Sequence, residues 1–317
     1  RRARLTTPPV RIAIVGAGAM GSVYAGLLAA AGNEVLAVDR WAEHVEAIRS
    51  HGLRVEGASG DRTVQVEAAV EVVDPRPFDL VVIATKAMHV REASESARVL
   101  LGPETLVLPI QNGLGSVELV AAAVGEKRVL VGVAEGFGAS MVGPGHVHHH
   151  GMARVRLGER RGPVTPRVER VARLWRAAGF TVETYDDVDR LVWQKLVCNV
   201  SFSAVCALLD RTIGEVLDHP DARRVASACG TEAHAVALAS GVDLGIDDPV
   251  AYVEAFGRRL AGARPSLALD LRAGRPTEID VLNGAVADRA VAVGLEAPVN
   301  ATLAALVRAR ERLVAPG

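Results

Sequence analysis

Residues 11–21 read RIAIVGAGAMG. This stretch constrains the fold more than any other. "RIAIV" is a short apolar run suited to a strand buried on both faces. Gly16, Gly18 and Gly21 follow it, and the helical stretch "AMGSVYAGLLAAAG" comes next. In a strand–turn–helix of this kind the first glycine permits the tight turn. The second lets an anion approach the backbone, and the third lets the helix pack close to the strand, with the helix N-terminus facing the anion. The stretch therefore predicts the pyrophosphate turn of a dinucleotide-binding unit, formed by Gly16, Ala17, Gly18, Ala19, Met20 and Gly21. Asp39 follows the second strand, "EVLAV". A carboxylate there accepts from ribose hydroxyls and repels a 2′-phosphate, which favours NAD(H). Arg40 beside it could pair with a 2′-phosphate and favour NADP(H), helped by Lys86 just past "DLVVIAT".

Strands and helices alternate through the first half. "AEHVEAIRSHG" reads as a helix, "LRVEG" with "RTVQVEAAV" as a hairpin insertion, and "DLVVIAT" as a buried strand. The helix "VREASESARVLL", the strand "TLVLPI", the helix "VELVAAAV" and the strand "RVLVGV" follow. "GHVHHHGMARVRLGE" reads as two strands around Gly151, then "VTPRVERVARLWRAAG" as a helix and "TVETY" as a strand. The pattern predicts an α/β chain: a Rossmann-type doubly wound sheet domain over 1–186, with 1–9 as a flexible tail. From 187 to 317 no strand is expected. That part reads as an all-α C-terminal domain with breaks near Pro220, Gly241–Pro249, Pro265 and Pro298.

A chain of 317 residues, half of them hydrophobic, can bury two cores. Its formal net charge of −1 gives it no general attraction for nucleic acid or an anionic membrane. No uninterrupted apolar run approaches the ~18 residues of a membrane span. The start, "RRARLTTPPV", lacks the apolar stretch of a secretory signal. Cys198, Cys206 and Cys229 sit in apolar helical context and read as reduced thiols, so a cytoplasmic location is expected.

Of 36 basic residues only three are lysines, Lys86, Lys127 and Lys195. An Arg cannot release its proton near neutral pH, whereas a Lys can when its surroundings lower its pKa. Lys127 lies in the loop "GEKR" and reads as ordinary surface charge. Lys195 lies in "RLVWQKLVCNVSFSAVCALLD", an apolar helix in which Lys195, Asn199 and Ser203 stand four apart. Such positions advance only about 40° around the axis, so the three form one polar stripe on a helix built to be buried. A stripe of that kind costs stability unless its groups find partners.

Taken in order, "GAGAMG" at 16–21, "TKAMHV" at 85–90, "QNGLG" at 111–115, "PGHVHHHG" at 144–151, "WQKLVCN" at 193–199 and "RPTEIDVLNG" at 275–284 resemble the ketopantoate reductase (2-dehydropantoate 2-reductase) family along nearly the whole chain. The resemblance implies reduction of a 2-keto acid by NADPH, a step of pantothenate biosynthesis, with a small-molecule substrate. It implies Lys195 as the general acid and Asn112 beside the nicotinamide ribose and the substrate. It further implies Asn199 and Ser266 on the substrate's polar groups, Glu278 on the cofactor's ribose hydroxyls, and Arg40 and Lys86 near the 2′-phosphate. Many members carry a second Asn where this chain has Ser203, and threonines where it has Ala134 and Glu135. Ser203, a shorter donor, is accordingly a substrate-binding candidate that leaves room for a keto acid other than 2-dehydropantoate. Glu135 would repel an anionic substrate unless it points away.

Other features have plainer readings. His146, His148 and His150 share one face of an extended strand and His149 takes the other. No carboxylate or cysteine joins them in sequence, and no metal is expected. Glu278 and Asp280 stand two apart and would not face each other on a helix. Asn283 reads as a packing polar residue, and Trp41, Trp175 and Trp193 as packing rather than stacking platforms. The apolar C-terminal helices leave room for a homodimer. Two other functions fit the same residues: a hydroxy-acid dehydrogenase of this architecture with another substrate, or a non-catalytic dinucleotide sensor. A sensor has no use for a proton donor such as Lys195.

Overall fold

The computed structural model describes residues 9–72, 76–151 and 153–314. The tail expected at 1–9 falls outside them except for Pro9. The chain divides into two units. One holds the chain up to Gln111 together with Ser116–Val188, and the other holds Asp189 onward together with Asn112–Gly115.

In chain order the first unit contains β1 (Arg11–Val15), α1 (Ala19–Ala30), β2 (Glu34–Val38), α2 (Ala42–His51), β3 (Leu53–Gly57), β4 (Arg62–Val64) and β5 (Glu67–Ala69). Then come β6 (Phe78–Ile83), α3 (Val90–Ser96), β7 (Leu101–Pro109), α4 (Ser116–Val124), β8 (Val131–Glu135), β9 (Gly138–Gly143), β10 (His146–Gly151), β11 (Arg154–Gly158), α5 (Pro166–Ala177) and β12 (Val182–Thr184). The main sheet is parallel, in the order β5-β2-β1-β6-β7. Its strands alternate between two cores. Ile12 and Ile14 of β1 join Tyr24, Leu27 and Leu28 of α1 on one face, and Ala13 and Val15 join Val90 of α3 and Val120 of α4 on the other. Burial on both faces is why "RIAIV" and "DLVVIAT" are continuously apolar.

Two small sheets complete this unit, β4-β3-β10-β9 and β12-β11-β8. Here the structure corrects the expected hairpin. Only Arg62–Val64 pairs back on β3, whereas Glu67–Ala69 leaves it and becomes the edge of the main sheet beside β2. Strand β9, Gly138–Gly143, has no counterpart in the sequence reading. It pairs antiparallel with β10. Its GASMVG lacks the β-branched and aromatic density that marks a strand.

The second unit is helical: α6 (Val188–Leu209), α7 (Ile213–Asp218), α8 (Pro220–Ala239), α9 (Pro249–Arg259), α10 (Ser266–Arg272), a 3₁₀ turn at Ile279–Val281, α11 (Asn283–Ala292) and α12 (Pro298–Val314). Pro220, Pro249 and Pro298 open their helices, where a missing N–H costs nothing. A break absent from the sequence reading falls at Asp210, whose φ of 52° ends α6 and whose carboxylate accepts from Arg264 at 3.1 Å. Helix α6 is long and apolar enough to cross a membrane, yet most of it is buried inside the protein. Trp193, Leu196, Val197, Val200 and Phe202 lie in the core of this unit. Each such side chain stabilises the unit by about 1.5–3 kcal/mol through removal of apolar surface from water. Asn283 is fully buried and donates to the Val200 carbonyl of α6 at 3.1 Å and to Asn300 Oδ1 at 2.9 Å. It is the packing residue expected.

Candidate active site

The strand order of the main sheet reverses between β1 and β6, and the glycine turn stands there, past the C-terminal end of β1. Gly16 N and Ala17 N donate to Val38 O at 2.8 and 3.0 Å, which ties the turn to the end of β2 beside Asp39. Ala84 N donates to Val15 O at 2.8 Å and ties it to the end of β6. The three glycines stand in different surroundings. Gly16 has φ +98°, and a Cβ there would lie 2.4 Å from Thr85 N. A Cβ on Gly21 would lie 2.0 Å from Gly16 O. Gly18 has φ −63° and nothing within 4 Å of a Cβ. The fold itself does not demand glycine at 18, and the approach to its backbone is open. The N–H groups of Ala19, Met20 and Gly21 open α1 and have no intrahelical acceptor. An anionic pyrophosphate suits this donor set.

Around the turn, Asp39 is half-buried and its Oδ1 accepts from Trp41 N at 2.9 Å. Arg40 is exposed and ion-paired with Glu92. Lys86 follows Thr85, the residue packed against Gly16, and so stands at the same edge of the turn. Gln111, which the sequence reading passed over, donates to Ile83 O at 2.7 Å and Thr85 O at 3.1 Å and fixes the ends of β6 and β7 together.

In the helical unit, Lys195 Nζ donates to Asn112 Oδ1 at 2.7 Å. Asn112 is one residue past Gln111 in sequence, yet its loop belongs with the helices. Leu114 N donates to Val281 O at 3.0 Å. Gly113 has φ +79°, and a Cβ there would be 2.1 Å from Val281 O, so only glycine lets the loop lie this close. Glu278 immediately precedes the 3₁₀ turn that supplies Val281. That segment is held from α12: Glu311 Oε1 accepts from Thr277 N at 2.7 Å, and Arg308 donates to Asp280 at 2.6 Å. Asp280 is therefore committed to Arg308. Asn199 is half-buried and Ser203 is 5% exposed. Among the described residues neither side chain has a hydrogen-bond partner. Ser266 is exposed at the first position of α10.

Glu135 is neutralised on the β12-β11-β8 sheet. Arg156 lies 3.0 Å from it and Arg154 3.7 Å, and both also pair with Glu183. The histidine strand gains a carboxylate that its own sequence lacks: Glu56 of β3 lies 3.1 Å from His146 and 3.3 Å from His148. These rings hold the Glu56 carboxyl below its usual range. Among the described residues no group of three or more His, Cys, Asp or Glu could hold a metal ion. Trp175 and Trp193 are buried as expected, but Trp41 is 38% exposed and stacks on His44 with ring centroids 5.3 Å apart.

A Rossmann-type unit with a glycine turn at the sheet's switch point, followed by a helical unit carrying a Lys–Asn pair, defines the class: a two-unit oxidoreductase. Residues 12–162 match the family Ketopantoate reductase PanE/ApbA, and residues 187–311 match its C-terminal family. The chain belongs to the ketopantoate reductase family. It is 30% identical over 302 residues to the 2-dehydropantoate 2-reductase of Streptococcus pyogenes serotype M6, covering 95% of this chain and 98% of that one. A PanE/ApbA family ketopantoate reductase from Ralstonia eutropha JMP134 superposes with a TM-score of 0.87 at 34% identity, covering 96% of this chain and 99% of that one. D-mandelate dehydrogenase, in its ternary structure with NADH and anilino(oxo)acetate, superposes with a TM-score of 0.88 at 27% identity over the same shares.

Proposed function

We propose that the protein reduces the ketone of a 2-keto acid, 2-dehydropantoate, to the hydroxy acid pantoate, with Lys195 as the proton donor. The observation that carries this reading is the 2.7 Å bond from Lys195 Nζ to Asn112 Oδ1. A reduced nicotinamide dinucleotide supplies the hydride when bound. Hydride addition leaves negative charge on the ketone oxygen, and the Lys195 ammonium neutralises it by proton transfer. Asn112 aims that ammonium and contacts the substrate. Asn199, Ser203 and Ser266 donate to the carboxylate and hydroxyl groups of the acid, orienting it and stabilising the growing charge. Glu278 accepts from ribose hydroxyls. Gly16, Ala17, Gly18, Ala19, Met20 and Gly21 hold the pyrophosphate. NADP(H) is the cofactor favoured by the family resemblance, with Arg40 and Lys86 on its 2′-phosphate, while Asp39 favours NAD(H). Three buried free thiols suit a reducing cytoplasm.

A second reading keeps the chemistry and changes the acid. It is favoured by Ser203, shorter than the Asn common at that place in the family, and by the likeness to D-mandelate dehydrogenase. Oxidation of NADPH and of NADH, followed by absorbance against 2-dehydropantoate and a panel of aliphatic and aryl 2-keto acids, tests both. Fastest turnover of 2-dehydropantoate supports the first reading and of an aryl acid the second. No turnover of any keto acid by protein that binds the dinucleotide sinks both.

A further inference from the structure

A chain of hydrogen bonds leads from α2 to the back of the glycine turn. Gly145, in the turn before β10, donates its backbone N–H to His44 Nδ1 at 2.9 Å. A backbone N–H can only donate, so Nδ1 is bare and the neutral ring carries its proton on Nε2. Nε2 lies 3.2 Å from Ser22 Oγ and donates to it. Ser22 Oγ in turn donates to Ala17 O at 2.7 Å. Ser22 and His44 are both fully buried, and the Trp41 indole covers one face of the imidazole at 5.3 Å.

The acceptor at the end of this chain is half of a peptide unit. Among the described residues no peptide bond is cis. In a trans peptide the C=O and the following N–H point in opposite directions. Anchoring Ala17 C=O inward on Ser22 therefore turns the Gly18 N–H outward, on the side where Gly18 is exposed and a Cβ would meet nothing within 4 Å. We infer that His44, acting through Ser22, is a positioning residue for the dinucleotide: it locks the Ala17–Gly18 peptide so that the Gly18 N–H is aimed at the pyrophosphate. The inference rests on the dinucleotide reading of the turn. Burial holds the His44 pKa below its usual value, against the pull of the Asp39 charge and the Ala17 carbonyl, so the ring stays in the neutral form the chain needs. Preorganisation of this kind acts on affinity, because the turn does not have to be ordered when the anion arrives.

Two substitutions separate the ends of the chain. His44→Asn places its amide where Nδ1 stands, satisfying Gly145 but losing Ser22. His44→Gln reaches the Nε2 position and can still donate to Ser22. Ser22→Ala removes the link with a good helix former and keeps the test valid should a His44 variant fold poorly. Dissociation constants for NADPH and NADH, by titration calorimetry, are to be compared with kcat and KM for the keto acid at saturating dinucleotide. Ser22→Ala and His44→Asn are expected to weaken dinucleotide binding about three- to tenfold, the worth of one lost hydrogen bond, with kcat and the keto-acid KM unchanged. His44→Gln should stay within about twofold of wild type, less than that worth. Wild-type affinity in Ser22→Ala, or equal losses in the two His44 variants, would overturn the inference. A wild-type protein that binds neither dinucleotide would instead overturn the reading of the turn, and the inference with it.

Discussion

Lys195 and Asn112, 83 positions apart, share a 2.7 Å hydrogen bond from ammonium to amide oxygen. The pairing fixes the direction of an ammonium group on a mostly apolar helix. If Lys195 gives the proton, Lys195→Ala should lower kcat about 10²–10⁴-fold and leave dinucleotide affinity nearly unchanged. Asn199→Ala should act mainly on KM for the keto acid. Steady-state kinetics decides, and a Lys195→Ala enzyme with near-normal kcat would leave the stripe a packing feature.

Gly113 sets the position of Asn112. With φ +79° and Val281 O 2.1 Å from any Cβ, Gly113→Ala must push the loop off the 3₁₀ turn. We expect kcat to fall at least about tenfold, because small displacements of an aligned group are costly. The same kcat as wild type would show that the loop tolerates the shift or that Asn112 has no part in the reaction.

The glycine turn offers a contrast between fold and ligand. Gly18→Ala has room and an ordinary φ, so its melting temperature should match wild type while dinucleotide binding is lost to steric block. Gly21→Ala forces a Cβ to 2.0 Å from Gly16 O and should melt lower. Thermal melts and fluorescence titration separate the two. Normal binding by Gly18→Ala refutes the pyrophosphate assignment.

If the proposed dinucleotide site is right, Asp39 and Arg40 decide the choice of cofactor, and Glu92 bears on it through Arg40. Glu92 holds Arg40 in an exposed ion pair. Glu92→Ala should free the guanidinium and raise the NADPH:NADH ratio of kcat/KM, and Arg40→Ala should lower it. A wild-type preference for NADH above about tenfold, roughly 1.4 kcal/mol in transition-state binding, would mean that Asp39 dominates.

Two buried histidines set an acid limit on stability. Burial lowers the pKa of His44 and of His149; for His149 a backbone hydrogen bond at Gly151 opposes the shift, while the neighbouring His150 and His148 add to it. Below an unfolded value of about 6.5 the unfolded chain takes up protons that these rings refuse. Their contribution is thus complete above that pH and is lost as pH falls from there toward the folded values, by up to about 1.4 kcal/mol per pH unit for each ring. Urea denaturation between neutral and mildly acid pH should show the decline, and His149→Phe should flatten it. An unchanged slope in that variant would remove His149 from the account.

The sequence alone determined what is local. A glycine turn between an apolar run and a helix, strands apolar on both faces, helix breaks at prolines and a four-residue spacing of polar groups all act within one or two turns of backbone. Those are the distances over which sterics and periodicity operate. Tertiary structure decided what depends on partners far along the chain. It split residues 62–69 between two sheets, because β4 pairs back on β3 and Glu67–Ala69 completes the edge beside β2. It made a strand of 138–143, whose own residues carry weak strand preference, by pairing it with β10. It withdrew Glu135 behind Arg154 and Arg156, and it gave the loop 112–115 to the helices through Val281. His44 and Gly145 are 101 positions apart, and no spacing in the chain announces that one caps the other. Hydrogen-bond partners of this kind are chosen by packing, after the local elements exist, and only the folded chain contains them.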